Sequence, residues 1–150
     1  MGQEVQLILP KWVANAMNDV GISEIKGKDH NARILKMHSY TSLKAHDDET
    51  AWCSAAVCAW LEESGIRSPK SARSLDFLKW GVALEKPSLG CVLVFKRIVA
   101  PDTGEVQAGH VGLYVGEENE YYWVLGGNQS DRVTYQRWPK NLLISARMPV

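Results

Sequence analysis

Between Pro10 and Gly21, apolar side chains stand at Trp12, Val13, Ala16, Met17 and Val20, the spacing of one helix face with a glycine stop behind it. The pattern predicts an amphipathic helix with that stripe buried. A polar break over 27–31 follows, and Asn31 is placed to cap a short helix through Ile34, Leu35 and Met37. Beyond a second polar stretch, Lys44 to Thr50, the segment Ala51 to Ser64 is apolar on both sides of its axis and ends at Gly65, which predicts a helix sunk in the core. Arg73 to Trp80, ended by Gly81, reads as a shorter helix.

From Gly90 the period changes to two. Cys91 to Val99 is rich in β-branched residues and runs into a turn at Pro101 to Gly104. Further strands are expected at Val106 to Val115, Tyr121 to Gly126, Arg132 to Arg137 and Leu142 to Met148, with Glu117 to Glu120, Gly127 to Asp131 and Trp138 to Asn141 as connections. These connections are too short for parallel crossovers. The expectation is therefore an α+β fold with N-terminal helices packed on a C-terminal antiparallel meander.

Composition narrows the field. A chain of 150 residues with 45% hydrophobic and 23% charged residues suits one globular domain, taken as 1–150. Seventeen basic residues balance seventeen acidic ones, so no net field favours a nucleic acid. The apolar run Leu7 to Pro10 is too short for a signal-peptide core or a membrane span, so the expectation is a product made in the cytoplasm without membrane insertion. Cys53, Cys58 and Cys91 are an odd number with no zinc or C-x-x-C spacing, and are read as thiols.

Position singles out one of the three. In Asp47-Asp48-Glu49-Thr50-Ala51-Trp52-Cys53, the cysteine falls in the first turn of a helix that opens with acidic and capping residues. There, unpaired N–H groups and the helix dipole favour the thiolate, the reactive form, and the same groups can receive an oxyanion. Cys53 shares a face with Ala56, Val57, Trp60 and Leu61, whereas Cys58 lies about 140° around the axis.

A lone cysteine is commonly just a small core residue, so a base is needed. His110, in Gly109-His110-Val111-Gly112, is the histidine in a strand pattern, and Gly112 beside it suggests close approach of the alanine-rich Cys53 helix. If Val106 to Val115 pairs with Tyr121 to Gly126, Asn128 falls opposite or next to His110. Its carbonyl could then hold the imidazole in one tautomer, although Gly126-Gly127-Asn128-Gln129 also reads as a turn.

The order of cysteine at a helix start, histidine on a strand after glycine, and a polar residue one strand later resembles the NlpC/P60 and CHAP superfamily of papain-like peptidoglycan hydrolases. Asp48 to Ala55, Gly109 to Gly112 and Val124 to Asp131 resemble a compact phage and prophage branch of it. The likeness runs from about Trp12 to the C-terminus. It implies a papain-like, NlpC/P60-type fold and a cysteine amidohydrolase that cuts an amide of peptidoglycan; no cofactor is expected, and no metal is assigned. Cys53 is the implied nucleophile, His110 the base and then the acid, and Asn128 the residue orienting His110. Many members carry a tyrosine just before the nucleophile helix. Trp52 stands next to Cys53 here, which leaves the oxyanion to backbone N–H groups. The strand that often begins Pro-Gly-Asp reads Leu89-Gly90-Cys91, and Cys91 is taken as structural.

Other signals are weaker. Asp47, Asp48 and Glu49 read as dipole-complementing residues rather than an acid pair, and His30, His38 and His46, eight apart, match no metal spacing. Trp52, Trp80, Trp123 and Trp138 are groove candidates, with Trp52 favoured by its place beside Cys53. Gln129 and Ser130 are expected to meet substrate from the loop. Three function classes follow. The first is a peptidoglycan endopeptidase or N-acetylmuramoyl-L-alanine amidase, acting in the wall as a phage lysin after holin-type release. The same chemistry also suits a toxin delivered into another cell and paired with an immunity protein. The others are a non-catalytic wall-binding or phage structural protein and a cysteine transferase.

Overall fold

The structure, a computed structural model, describes residues 8–25, 31–42 and 52–150. His30, His46 and the acidic segment Asp47 to Glu49 lie outside the described residues. Three α-helices, α1 (Lys11–Asn18), α2 (Ala32–His38) and α3 (Cys53–Glu62), precede a 3-10 turn, Ser74–Lys79, where the sequence predicts an ordinary helix. Six strands follow: β1 (Val82–Leu84), β2 (Val92–Val99), β3 (Val106–Glu118), β4 (Tyr121–Gln129), β5 (Arg132–Pro139) and β6 (Leu143–Met148). They form one antiparallel sheet in the order β1-β6-β2-β3-β4-β5. The expected meander holds for β2 to β5. β6 instead returns along the far side of β2 and takes β1 as its own edge partner.

Local chemistry explains the helices. Asn31 caps α2 as predicted, its side-chain oxygen accepting from the backbone N–H groups of Arg33 and Ile34. α1 buries Val13 and Ala16, but Met17 and Val20 are 44% and 41% exposed, because the helix ends at Asn18 before the stripe completes a third turn. The half-buried Trp12 donates its indole N–H to the Gly90 carbonyl at 2.7 Å. In α3 every residue from Cys53 to Leu61 is buried, so this helix is the centre of the main core. An ion cluster ties the three helices together: Arg33 on α2 reaches Asp19 after α1 at 2.8 Å and Glu63 after α3 at 2.6 Å, and Trp60 donates to the same Asp19.

The helices lie on one face of the sheet, over Val92, Val94, Val111, Leu113 and Leu125. The opposite face carries a second cluster of Leu93, Phe95, Val124 and Ala146, packed with Tyr114, Tyr122 and Trp138. β3 and β4 pair from Glu118↔Tyr121 to Leu113↔Leu125, and no β3–β4 pairing is recorded beyond. Past that point β4 stays with β5 but bulges between Gly126↔Thr134 and Gln129↔Arg132. The segment read as a loop over Gly127 to Asp131 is thus mostly strand. The hairpin closes on Ser130 and Asp131 alone, with φ of 54° and 60°, the two positive angles that a two-residue turn of this kind requires.

Candidate active site

The position of Cys53 is set by what anchors the residue before it. Trp52, the N-cap of α3, is wholly buried, and its indole N–H donates to Glu24 Oε1 at 2.8 Å. Glu24 is held in turn by its backbone N–H on the Asp131 carbonyl, beside β5. The first turn of α3 then rests directly on β4. A Cβ at Gly127 would stand 2.7 Å from both Ala56 Cβ and Trp52 Cζ3, so glycine is what lets helix and strand meet. The sequence assigned this role to Gly112. A Cβ there would instead strike Val124 Cγ1 on the neighbouring strand.

Cys53 is the first residue of α3, where backbone N–H groups lack partners within the helix. Its Sγ lies 3.1 Å from the hydroxyl of Ser74, which opens the 3-10 turn. Burial pushes the thiol up in pKa. The positive charge and hydrogen bond of His110, the Ser74 hydroxyl and the Val111 backbone outweigh it and bring the thiol down to about 6. The other cysteines move the opposite way: burial raises Cys58, and raises Cys91 to about 11.

His110, buried on β3, is held by Gln129, whose Oε1 lies 2.9 Å from Nε2. The direction of this bond follows from the partners of Gln129. Its amide nitrogen spends both hydrogens on the carbonyls of Thr134 (2.7 Å) and Val124 (3.2 Å). Trp138 Nε1, which can only donate, gives a second bond to Oε1 at 3.2 Å. Oε1 therefore accepts, Nε2 carries the proton, and Nδ1 is the ring nitrogen left for the thiol. Trp138 also stacks on the imidazole with centroids 4.3 Å apart and planes 6° from parallel, and Phe95 lies behind it at 5.1 Å. Cys53 belongs to the helix-side cluster and Trp138 to the opposite one, so the pair sits where the two meet, past the end of β3–β4 pairing.

Several sequence expectations need correction. The residue bonded to the imidazole is Gln129, not Asn128. Simple hairpin register points to Asn128, but the β4 bulge, with Asn128 at φ 56°, advances the strand by one residue and turns Gln129 to the ring. Gln129, 2% exposed, is correspondingly unavailable as a substrate contact from a loop. Trp52 is not a groove residue either, since it is buried under β4. Ser130 is exposed in the hairpin turn and does not line the cleft beside Cys53. The tryptophan that reaches the site is Trp138. Sequence reading missed its role and that of Ser74, which lies 21 residues from Cys53 in a turn without a strong pattern. Gly126-Gly127 did carry a signal for the bulge.

Cys53 opens into a cleft of about 180 Å³ lined by Ala72, Arg73, Ser74, Leu75, Arg97 and the 107–109 stretch of β3. Among the described residues no group of three or more His, Cys, Asp or Glu side chains is gathered as a metal site. The arrangement supplies a thiol poised to ionise near neutral pH, an imidazole fixed in one tautomer, and helix N–H groups beside the sulfur.

No family profile matches the chain, and no curated protein matches it. Among solved structures it is similar to a Staphylococcus aureus subsp. aureus Mu50 protein described as "similar to lipoprotein, NLP/P60 family", with a TM-score of 0.51 and 17% identity. The match covers 91% of this chain and 40% of the other, so the chain spans less than half of that protein. The α+β architecture, helices on one face of an antiparallel sheet, is that of an NlpC/P60-family structure.

Proposed function

We propose that the protein is a cysteine amidohydrolase that cleaves an amide bond of peptidoglycan, with Cys53 as nucleophile, His110 as acid and base, and Gln129 as the residue orienting His110. The observation that carries this reading is the thiol brought down to about 6 beside an imidazole whose far nitrogen is fixed by Gln129. The likeness to an NlpC/P60 structure supports the fold the chemistry needs.

The steps follow from the geometry. His110 Nδ1 takes the proton of the Cys53 thiol, the thiolate attacks the amide carbonyl, and the tetrahedral oxyanion is received by N–H groups at the start of α3. His110 gives its Nδ1 proton to the leaving amine, the C–N bond breaks, and a thioester stays on Cys53. Nδ1 then takes a proton from water, which attacks the thioester; the C–S bond breaks, the Nδ1 proton returns to sulfur to restore the thiol, and the product acid leaves as its carboxylate after losing a proton to solvent. Nε2–H stays on Gln129 throughout, which keeps the ring from turning. Lysin and delivered toxin share this chemistry. Incubation with purified peptidoglycan and mass analysis of the fragments tests the reading: peptide or stem fragments cut at one amide support it, and an unaltered polymer after prolonged incubation at neutral pH refutes it.

A further inference from the structure

The cleft beside Cys53 has a charge of its own that the reaction steps do not use. It is lined by two guanidinium groups, Arg73 and Arg97, and by no acidic side chain among the described residues. How Arg97 comes to line it is informative. On β2, Val92 and Val94 face the helices while Leu93 and Phe95 face the opposite cluster, so plain alternation assigns Arg97 to the far side with Phe95. The register breaks there: Lys96 pairs with Gly109 and Ile98 with Ala108, which leaves Arg97 as the extra, unpaired residue of a β-bulge. Bulges re-aim side chains and are over-represented beside active sites. This one turns a guanidinium towards the Cys53 side.

Arg97 is exposed, and no hydrogen bond or ion pair occupies it among the described residues. Arg73, directly before Ser74, is held at 3.1 Å by Asp76 through one nitrogen only, while Asp76 also takes the Ser71 hydroxyl. Its remaining donors are open. Two forks of donors on one small cleft, each with capacity to spare, match a planar anion that accepts in pairs. At about 180 Å³ the cleft has room for one compact group beside the reacting carbonyl.

We infer that Arg73 and Arg97 form a carboxylate-binding subsite, so that the preferred substrate is a peptide amide flanked by an acidic residue. This rests on the proposed hydrolase reading for its substrate, but the subsite can be read without turnover. Cys53 is alkylated at pH 7 with iodoacetate, which carries a carboxylate, and with the neutral iodoacetamide, and the ratio of the two rates is taken for each protein. In both reactions Sγ displaces iodide from the CH2, so the ratio cancels any change in the thiol itself. Arg97→Gln is expected to lower the iodoacetate-to-iodoacetamide ratio by about threefold or more, Arg97→Glu further, and Arg73→Gln in the same direction. Arg97 is exposed and without partners among the described residues, so its variants are expected to fold.

A matched pair of peptides, identical but for a carboxylate or a carboxamide beside the scissile bond, then extends the test to kcat/KM. The expected preference for the carboxylate is about tenfold or more, and it is expected to shrink in Arg97→Gln. An alkylation ratio unchanged in all three variants would overturn the subsite even if peptidoglycan is cleaved. A lowered ratio would support it even if peptidoglycan is not, so the two readings fail separately.

Discussion

Replacing Gln129 separates orientation of the imidazole from support of the fold. Gln129→Ala removes the acceptor for His110 Nε2 and, at the same time, the donors to the Val124 and Thr134 carbonyls. A hydrogen bond to a group that becomes charged is worth about 1.5–3 kcal/mol, and each 1.36 kcal/mol is tenfold in rate, so the expected loss in kcat/KM is about 10- to 150-fold. Taking the amide donor from the buried Val124 carbonyl costs about 1–3 kcal/mol and from the part-buried Thr134 carbonyl less, together enough to lower the melting temperature by several degrees. Gln129→Glu keeps an acceptor but loses the amide donors. It is expected to melt nearly as early as Gln129→Ala while retaining more activity. Asn128→Gly, which adopts the positive φ of 56° without strain, is expected to stay within about twofold of wild type. The assays are peptidoglycan turnover and thermal denaturation, run on the same preparations. If folded Gln129→Ala kept wild-type turnover, or if Asn128→Gly lost as much as Gln129→Ala, the orienting argument would be refuted.

Three further outcomes follow from the same contacts. Because the Cys53 thiol lies near 6 rather than the ordinary 9.0, its alkylation by iodoacetamide is expected to rise with pH through about 6 and level off by neutrality. Ser74→Ala removes a hydrogen bond that lowers the thiol, so the midpoint is expected at higher pH; an unmoved midpoint would contradict the assigned contact. Gly127→Ala forces a Cβ to 2.7 Å from Ala56 and Trp52, and is expected to cost about 1–3 kcal/mol in chemical denaturation. Glu63 is held below its usual carboxylate range, first by its hydrogen bond from Arg33. A group lowered on folding contributes stability above its unfolded pKa and loses it as pH falls, so acid melting of wild type below about pH 4.5 should be steeper than that of Arg33→Met.

Much of the site was legible because its cues are local. A cysteine at the start of an alanine-rich helix and a histidine between glycines on a strand are visible as pattern, and both reach the same site. The cap of α2 was legible for the same reason, since Asn31 acts through residues two and three positions away, whereas α3 starts on Trp52 without the side-chain cap its polar lead-in suggested. What failed depends on long-range geometry. Counting along an ideal hairpin selects Asn128, but one bulge residue shifts the face presented, and alternation alone does not reveal a bulge's register. Trp52 looked like a groove residue by adjacency to Cys53. Its direction is set by Glu24, 28 residues away, and by the absence of a side chain at Gly127. Trp138 entered as one of three tryptophans without a positional argument, and only the pairing of β5 with β4 brings it over His110.

The central claim is that Cys53 carries amide cleavage, and the most direct test measures two products at once. Wild type and Cys53→Ala are incubated with purified peptidoglycan at pH 7, and new amino groups and new reducing sugar ends are counted against time, with circular dichroism showing that both proteins are folded. The account expects amines from wild type in step with loss of turbidity, reducing ends at background, and neither product from Cys53→Ala. Amine release by folded Cys53→Ala above a tenth of the wild-type rate, or reducing ends rising without amines, would contradict it.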